Sequence, residues 1–229
     1  MNAALQHLAP HLRPAQPAPL VPVLPALREL LPGGGLRPGT VVSVTGGTAV
    51  LLALAAAATR EGTWCAVVGF EGLGLLGAAE LGVDTDRLVV IEAPGSHWPE
   101  VAMALADGVG IVLLRPTGGL SGQVAARLSA AARSKGCVLL VAGQWPGAQV
   151  QLSVVERDWI GLRQGRGRLR ARRITVDCGG RGAAARARRV GLWLPDADGA
   201  VRAAGEPLRP VVDRGAGAGR AVLAVVGNG

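Results

Sequence analysis

Short apolar runs alternate with helix-forming segments from residue 40 to residue 142. The runs occupy residues 40–44, 63–68, 88–91, 110–114 and 137–142. The segments between them predict helices at residues 48–59, 73–81, 98–106 and 121–135, the last with Ser121 as its N-cap. Apolar strands that are separated by helices are typical of a parallel sheet covered on both faces. The pattern predicts an α/β fold with a mostly parallel sheet flanked by helices.

The pattern changes after residue 147. Four further segments favour strands, at residues 149–155, 159–163, 168–176 and 189–194, and glycine turns rather than helices join them. Strands that are joined by tight turns pair antiparallel. We therefore expect an antiparallel extension at the carboxyl-terminal side of the same sheet.

The two ends of the chain differ from this core in composition. Residues 1–20 are rich in proline and lack hydrophobic periodicity, so we expect a flexible tail there. Residues 205–229 are rich in Gly, Ala and Arg and predict a second tail, although residues 221–226 are apolar enough to dock on another surface. Residues 21–204 then form one core domain.

The longest apolar stretch, residues 41–58, approaches the roughly 20 residues that cross a bilayer. Gly46 and Gly47 interrupt it, with a threonine on each side, so a strand, a turn and a helix in a globular core explain it better. The first residues lack a basic region followed by an apolar core, so we see no signal peptide. We expect a soluble cytoplasmic protein without a membrane partner.

The composition predicts a basic surface and argues against a metal site. The formal net charge is +8, and Lys135 is the single lysine, so nearly all cations are arginines. Arginine suits contacts with phosphate or carboxylate, which fits nucleic acid or an acidic partner. A codon-biased genome or a merely solvated surface explains the arginines as well. Cys65, Cys137 and Cys178 show no metal-ligand spacing, so we expect structural thiols and no metal.

A glycine turn joins the first strand to the first helix, where a phosphate-binding loop would lie. Thr45, Gly46, Gly47 and Thr48 form this turn. A P-loop reads G-x-x-x-x-G-K-[ST], and its lysine reaches the β- and γ-phosphates. No lysine follows the turn here, so it is either a weak phosphate site at a helix N-terminus or a turn that only packs.

Several segments resemble the RecA-type ATPase core over roughly residues 31–195. Glu71 follows the second strand, where RecA proteins carry the glutamate that activates water. Residues 81–88 resemble the RecA segment that leads into the next strand, and Gln144 follows the fifth strand, where RecA carries a glutamine that senses the γ-phosphate. The resemblance implies a RecA-like core and a vestigial nucleotide site formed by the glycine turn, Glu71 and Gln144.

The chain departs from RecA at the two groups that ATP hydrolysis needs most. The turn has no lysine, and the fourth strand ends in Leu114 and Arg115, where RecA carries the aspartate that holds Mg²⁺. Phosphoryl transfer relies on positioning and on charge stabilisation by a lysine and a metal. We therefore expect no ATPase activity and no cofactor, with Glu71 and Gln144 as structural remnants.

A degenerate, basic RecA-like chain of this size resembles the ImuA family, and residues 31–44 are similar to that family's entry into its core strand. The resemblance implies an accessory protein of the damage-inducible mutasome. Its implied partners are an ImuB-like inactive relative of the Y-family polymerases and an error-prone replicative-type polymerase. The implied function is that of a non-catalytic adaptor in translesion synthesis, with DNA as a further candidate partner.

Two other functions stay open at this point. The first is a divergent DNA-dependent ATPase of RecA type, in which Arg115 or an arginine of a partner replaces the missing lysine. The second is a cell-division inhibitor on a RecA-like scaffold, in the manner of SulA-type proteins.

Arginines alternate along residues 162–176 and predict a DNA-binding or partner-binding surface. The candidate residues are Arg163, Arg166, Arg168, Arg170, Arg172 and Arg173. Alternate residues of a strand share one face, about 6–7 Å apart. Ile174 continues the same parity, so either the face turns inward or a bulge near Arg172 and Arg173 switches it. A solvated edge that guards against aggregation is the competing interpretation.

Aromatic residues that could stack on nucleic-acid bases are nearly absent from the sequence. We interpret Trp98, Trp145, Trp159 and Trp193 as core or loop anchors, with Trp145 also placed to contact a partner. Any DNA contact is therefore expected to be directed at the backbone, neutral to sequence and strongly salt-dependent.

Overall fold

The computed structural model describes residues 18–163 and 166–205, and it describes the side chains of these residues except at 162–168. The described strands form one sheet in the order β3-β2-β4-β5-β1-β6-β7-β8-β9. Their bounds are β1 Val41–Thr45, β2 Cys65–Val68, β3 Leu88–Ile91, β4 Ile111–Leu114, β5 Val138–Ala142, β6 Val150–Arg163, β7 Arg166–Gly180, β8 Arg188–Trp193 and β9 Arg202–Ala203.

Helices cover both faces of the parallel part of this sheet. The α-helices are α1 Thr48–Arg60, α2 Leu75–Glu80, α3 Trp98–Gly108 and α4 Gly122–Lys135. Short 3₁₀ segments occur at Pro25–Leu30, Pro32–Gly34, Thr85–Arg87, Gly95–His97 and Gly182–Ala184. Buried residues of α1 and α2 pack on one face of the sheet, and those of α3 and α4 pack on the other. The prediction of an α/β fold with a mostly parallel sheet is confirmed.

Side chains of the central strand alternate between the two cores. Val42 and Val44 pack with α1, whereas Val41 packs with α3 and α4. Helix α1 is buried on nearly all sides, and Leu51 and Leu54 are at most 1% exposed. Burying such a leucine contributes roughly 1.5–3 kcal/mol, so an aliphatic core stabilises the sheet without many aromatic residues.

The antiparallel extension is confirmed, but it begins one strand later than predicted. β6 pairs with β1 in parallel, and β7, β8 and β9 then pair antiparallel. The two strands predicted at 149–155 and 159–163 are one strand, β6. Its pairing with β7 shifts between Val154 and Glu156 and again between Ile160 and Leu162. These irregularities broke the sequence pattern although the strand is continuous.

Most of the two predicted tails lies outside the described residues, which begin at 18 and end at 205. The apolar segment 221–226 also falls there. Near the start of the described chain, Val21 forms an antiparallel bridge with Leu36. Among the described residues, no helix combines the length and the apolar character that crossing a membrane requires.

Gly69 lies where the carboxyl ends of β2, β3 and β4 meet. Its N–H donates to the carbonyl of Ile91 at 2.9 Å, while the N–H of Arg115 donates to the carbonyl of Val68 at 2.9 Å. Gly69 has φ +80°, and a Cβ at this position would overlap the carbonyl oxygen of Arg115. Glycine is therefore required here both by the backbone conformation and by the close approach of β4.

We expect Gly69→Ala to lower the free energy of unfolding by about 3 kcal/mol or more, because left-handed strain and backbone overlap act together. Gly72→Ala is the matched control, since Gly72 also has a positive φ, of +66°, but faces open space. The control should cost only about 1–2 kcal/mol. Urea unfolding measures both values, and equal losses would contradict the proposed close approach.

Candidate functional site

The glycine turn between β1 and α1 packs against β6. A Cβ on Gly46 would lie 3.0 Å from the carbonyl oxygen of Val154, and a Cβ on Gly47 would lie 3.2 Å from Cγ2 of Val154. Contacts this short leave no room for a larger residue. The turn is therefore held on the neighbouring strand along one side.

Arg157 of β6 lies on the same turn. Its guanidinium donates a hydrogen bond to the carbonyl oxygen of Gly46. The rest of the side chain is exposed. A cation thus stands beside the first turn of α1, although the chain has no P-loop lysine.

Arg115 places a second cation at the first residue of α1. Its guanidinium donates to Oγ1 of Thr48 at 2.9 Å and lies over the ring of Phe70, 4.4 Å from the ring centroid. The amino-terminal end of a helix carries partial positive charge, which opposes a cation there. The bond to Thr48 and the cation–π contact offset this opposition and fix the guanidinium in place.

A cleft of about 380 Å³ opens beside this arginine, and we call it the α1 cleft. Its polar lining comprises Thr48, Glu71, Glu80 and Arg115, and Phe70 and Pro195 are among its other residues. Both carboxylates are exposed and Arg115 is half-buried. Within the described residues, no group of three or more His, Cys, Asp or Glu side chains could hold a metal ion.

Gln144 lines a different cleft, of about 380 Å³, which we call the β1–β6 cleft. Its polar lining consists of Ser43, Thr45, Gln144, Gln151 and Ser153. The hydroxyls of Thr45 and Ser153 lie 2.8 Å apart. Ser43 and Thr45 alternate along β1 with Val42 and Val44, which pack with α1. This cleft therefore lies on the face of the sheet opposite α1.

The structure thus divides the residues predicted as a vestigial nucleotide site. Thr48 and Glu71 line the α1 cleft, and Thr45 and Gln144 line the β1–β6 cleft. The two glycines lie between them against β6. Sequence order placed all six at the carboxyl ends of strands, but it did not reveal that they face opposite sides of the sheet.

Beyond the main sheet, β6 and β7 continue as a two-stranded arm. β6 pairs with β1 only as far as Ser153, and β8 pairs with β7 only from Arg173 onward. Residues 154–163 and 166–171 therefore pair only with each other in the described part of the chain, and the main chain of Arg172, at the base of this ribbon, also bonds Leu194 and Pro195. We call residues 154–163 and 166–172 the arm. It leaves the sheet at the carboxyl-terminal end of β1.

The arginine stripe runs along the arm and turns inward. Arg170 is exposed, Arg172 is half-buried and Ile174 is buried. The pairing is regular from Ala171 to Thr175, so no bulge lies at Arg172 and Arg173; the irregularities lie at Val155 and at residues 168–170, opposite Gly161. The sequence allowed either a strand face that turns inward or a bulge that switches faces. The structure shows the face that turns inward.

Arg172 is bonded within the protein. Its Nε donates to the carbonyl oxygen of Leu194 at 2.7 Å, and its guanidinium lies 5.1 Å from the ring centroid of Trp159. Burial, and then the charge of Arg157, lower the pKa of Arg172. The second cause indicates that positive charge accumulates on this side of the arm.

The remaining arginines of the predicted surface are placed differently. Arg173 is exposed and lies opposite Asp158 in the register of β6 and β7. The side chains of Arg163, Arg166 and Arg168 lie outside the described residues. Arg157, which was not among the residues predicted from the sequence, lies near Arg172 on the same side of the arm. The signal that could have identified it is its position two residues before Trp159, since alternate residues of a strand share a face.

The tryptophans divide into buried anchors and an exposed residue on the arm. Trp145 is buried, and its indole N–H donates to Oγ of Ser129 at 3.0 Å. Trp98 and Trp193 are also buried. Trp159, in contrast, is 40% exposed and lies opposite Arg172 on the arm. The expectation that Trp159 is a core or loop anchor is wrong, because it lies exposed on strand β6, beyond the pairing of β6 with β1.

All three cysteines are buried and unbonded to one another. Burial raises the pKa of Cys65 and of Cys137 to about 12, and it also raises the pKa of Cys178. Thiols with such pKa values stay protonated at neutral pH and are poor nucleophiles. The expectation of structural thiols fits this placement.

Comparisons with known proteins support the fold and identify relatives. Residues 29–147, just over half of the chain, match the model of the MT3502 N-terminal domain family. The uncharacterized protein Rv3395c of Mycobacterium tuberculosis is 42% identical over 133 residues, a match that covers 55% of this chain and 63% of that protein. The chain therefore matches less than two thirds of that relative's length.

A solved structure is similar in fold over most of this chain. The crystal structure of the RadB recombinase aligns with a TM-score of 0.55 at 14% identity, covering 78% of this chain and 96% of that one. At this identity the likeness concerns the fold alone. It confirms the RecA-like fold that the sequence predicts.

We expect Arg172→Gln to lower the free energy of unfolding by about 1–2 kcal/mol, because it removes the bond to Leu194 and the contact with Trp159. Arg170→Gln is the matched control on the same strand face and should change stability by about 0.5 kcal/mol or less. Urea unfolding of both variants checks this. A loss of equal size for the two would mean that Arg172 does not anchor the arm.

Proposed function

The chain belongs to the MT3502 N-terminal domain family, and from this premise and its RecA-like fold we propose that it is a non-catalytic adaptor of an error-prone DNA damage-tolerance complex. In this function the RecA-like core serves as a scaffold. It binds a polymerase-like partner, and its arm contacts DNA.

The position of Arg115 is the observation that carries the proposal. Its guanidinium is bonded to Thr48 at the start of α1, where a RecA-type site would hold Mg²⁺ and phosphate. Mg²⁺ within about 4 Å of a guanidinium would be repelled by roughly 8 kcal/mol at an effective dielectric constant of 20. A site that repels the metal and lacks the lysine loses the two main sources of charge stabilisation.

The arm supports the DNA contact. Arg157 and Arg170 are exposed on it, Arg173 is exposed directly beside it, and the chain as a whole carries a formal charge of +8. Guanidinium groups on a strand suit phosphate oxygens, and such contacts release counterions. Binding of this kind is insensitive to sequence and falls steeply as salt rises.

The proposed partners follow the resemblance to the ImuA family. They are an inactive relative of the Y-family polymerases and an error-prone replicative-type polymerase. A scaffold that binds both a polymerase-like protein and DNA would bring them together on damaged template. This would make translesion synthesis the process in which the adaptor acts.

A second candidate function is a divergent ATPase of RecA type. Arg115 favours it, because the guanidinium reaches the α1 cleft that Glu71 also lines. An arginine there could hold a phosphate group in place of the missing lysine. In that case the chain would bind Mg-ATP, and Glu71 would activate water.

We expect no phosphate release from Mg-ATP above background, with or without DNA, because the chain has neither the P-loop lysine nor an acidic metal ligand at the end of β4, where Leu114 and Arg115 stand. Malachite green detection over a range of salt concentrations measures this. Arg115→Ala and Glu71→Gln are the matched variants. Turnover that disappears in Glu71→Gln, or micromolar Mg-ATP binding that disappears in Arg115→Ala, would favour the second candidate.

We expect an inactive Y-family polymerase relative to co-purify with the tagged chain from cells with damaged DNA. Nuclease treatment before capture removes partners that DNA merely bridges, and mass spectrometry identifies the remainder. Recovery of cell-division proteins without a polymerase relative would count against the adaptor and in favour of a SulA-like inhibitor.

A further inference from the structure

One face of the arm combines an exposed aromatic ring with arginines. Trp159 of β6 lies directly opposite Arg172 of β7, and Arg157 lies opposite Ile174. Opposite residues of paired strands share a face, and Arg170 continues this face by alternation, two residues before Arg172 on β7 and just beyond the regular pairing. The cation–π contact between Arg172 and Trp159 is consistent with this arrangement. We call Arg157, Trp159, Arg170 and Arg172 the aromatic–basic face.

The positive charge of this face is not neutralised by carboxylates among the described residues. Arg157 and Arg172 donate to main-chain carbonyl oxygens, of Gly46 and Leu194, which are neutral. The nearby carboxylates sit at the alternate positions: Glu156 accepts a hydrogen bond from Thr175, and Asp158 lies opposite Arg173. An anion that reaches the face therefore meets cations without an acidic competitor.

The ring of Trp159 gives the face a second kind of contact. It is 40% exposed within the described part of the chain, which leaves apolar surface in water. Arg172 holds the indole by stacking on it at 5.1 Å. A fixed, exposed indole beside arginines is the combination that binds bases by stacking and phosphates by charge.

We infer that the arm binds single-stranded nucleic acid in preference to duplex, with a base stacked on Trp159 and the flanking phosphates on Arg157 and Arg170. This inference rests on the nucleic-acid contact of the proposed function and names its substrate class. Base faces are free in a single strand, whereas in a duplex they are covered by their neighbours. Trp159 therefore contributes to single-strand binding alone.

A competing geometry would use the arm differently. A two-stranded ribbon fits the major groove of duplex DNA, where arginines contact base edges. In that arrangement the arginines carry the affinity, and Trp159 contributes little or obstructs entry. The two geometries predict opposite effects of Trp159 on single strands and duplexes.

The test compares labelled oligonucleotides of about 20 nucleotides, single-stranded and duplex, by fluorescence anisotropy at one fixed salt concentration; this length exceeds the usual site of about 4–16 nucleotides. Trp159→Ala should weaken single-strand binding by about tenfold or more, within the range expected for one stacked base. Duplex binding should change by about twofold or less. Trp159→Phe should keep most of the single-strand affinity.

Trp64 offers a matched control. It is 43% exposed, and the guanidinium of Arg87 lies 5.3 Å from its ring centroid, much as Arg172 lies over Trp159. Trp64, however, directly precedes β2, whereas the arm leaves the sheet at the carboxyl-terminal end of β1. Trp64→Ala should leave both affinities unchanged within about twofold. Arg170→Gln should weaken the binding of single strands and of duplexes alike, because it removes a charge and leaves the stacking residue in place.

The outcomes separate this inference from the proposed function. If the wild-type chain binds both nucleic acids and Trp159→Ala weakens them equally or not at all, the inference is overturned while the DNA contact of the adaptor stands. If the wild-type chain binds neither, the DNA contact fails and the inference fails with it. Thermal unfolding of Trp159→Ala and the result for Trp159→Phe exclude loss of folding as the cause of weaker binding.

Discussion

The hydrogen bond from Arg115 to Thr48 connects the main features of this structure. It joins the end of β4 to the start of α1 across the central strands. The guanidinium of Arg115 lies over the ring of Phe70, the residue directly after Gly69. Because Gly69 has no Cβ, the backbone of Arg115 can approach the end of β2 closely. A cation is thereby fixed where a RecA-type site requires acidic metal ligands. The consequence is a cleft beside the start of α1 in which a guanidinium, and not a carboxylate, lies at the end of β4.

A single strand links this cleft region to the arm. β6 pairs with β1 through Ser153, then packs Val154 on the glycine turn and places Arg157 on the carbonyl of Gly46. Two residues later it presents Trp159 on the arm. Because these contacts follow one another on one strand, sheet pairing and the contacts of β6 determine the position of the arm relative to the turn. The arm is therefore positioned by the fold of the core.

The arginines divide into those that hold the structure and those that remain available. Arg115 and Arg172 are half-buried, and each is bonded within the protein and stacked on an aromatic ring. Arg170 is exposed on the same strand as Arg172. Counting arginines in the sequence does not separate these roles, since exposure and partners depend on where the strand leaves the sheet.

The sequence by itself determined the α/β class, the alternation of parallel strands with helices, and the loss of the lysine and the acidic metal ligand. These properties are local: a fully apolar run is buried on both faces, and a missing residue type cannot be supplied by folding. Only the tertiary structure decided that β6 is one strand parallel to β1, that Glu71 and Gln144 line different clefts, and that Trp159 is exposed. The physical reason is that strand pairing joins residues more than a hundred positions apart, such as Thr45 and Ser153, and no local pattern contains that register.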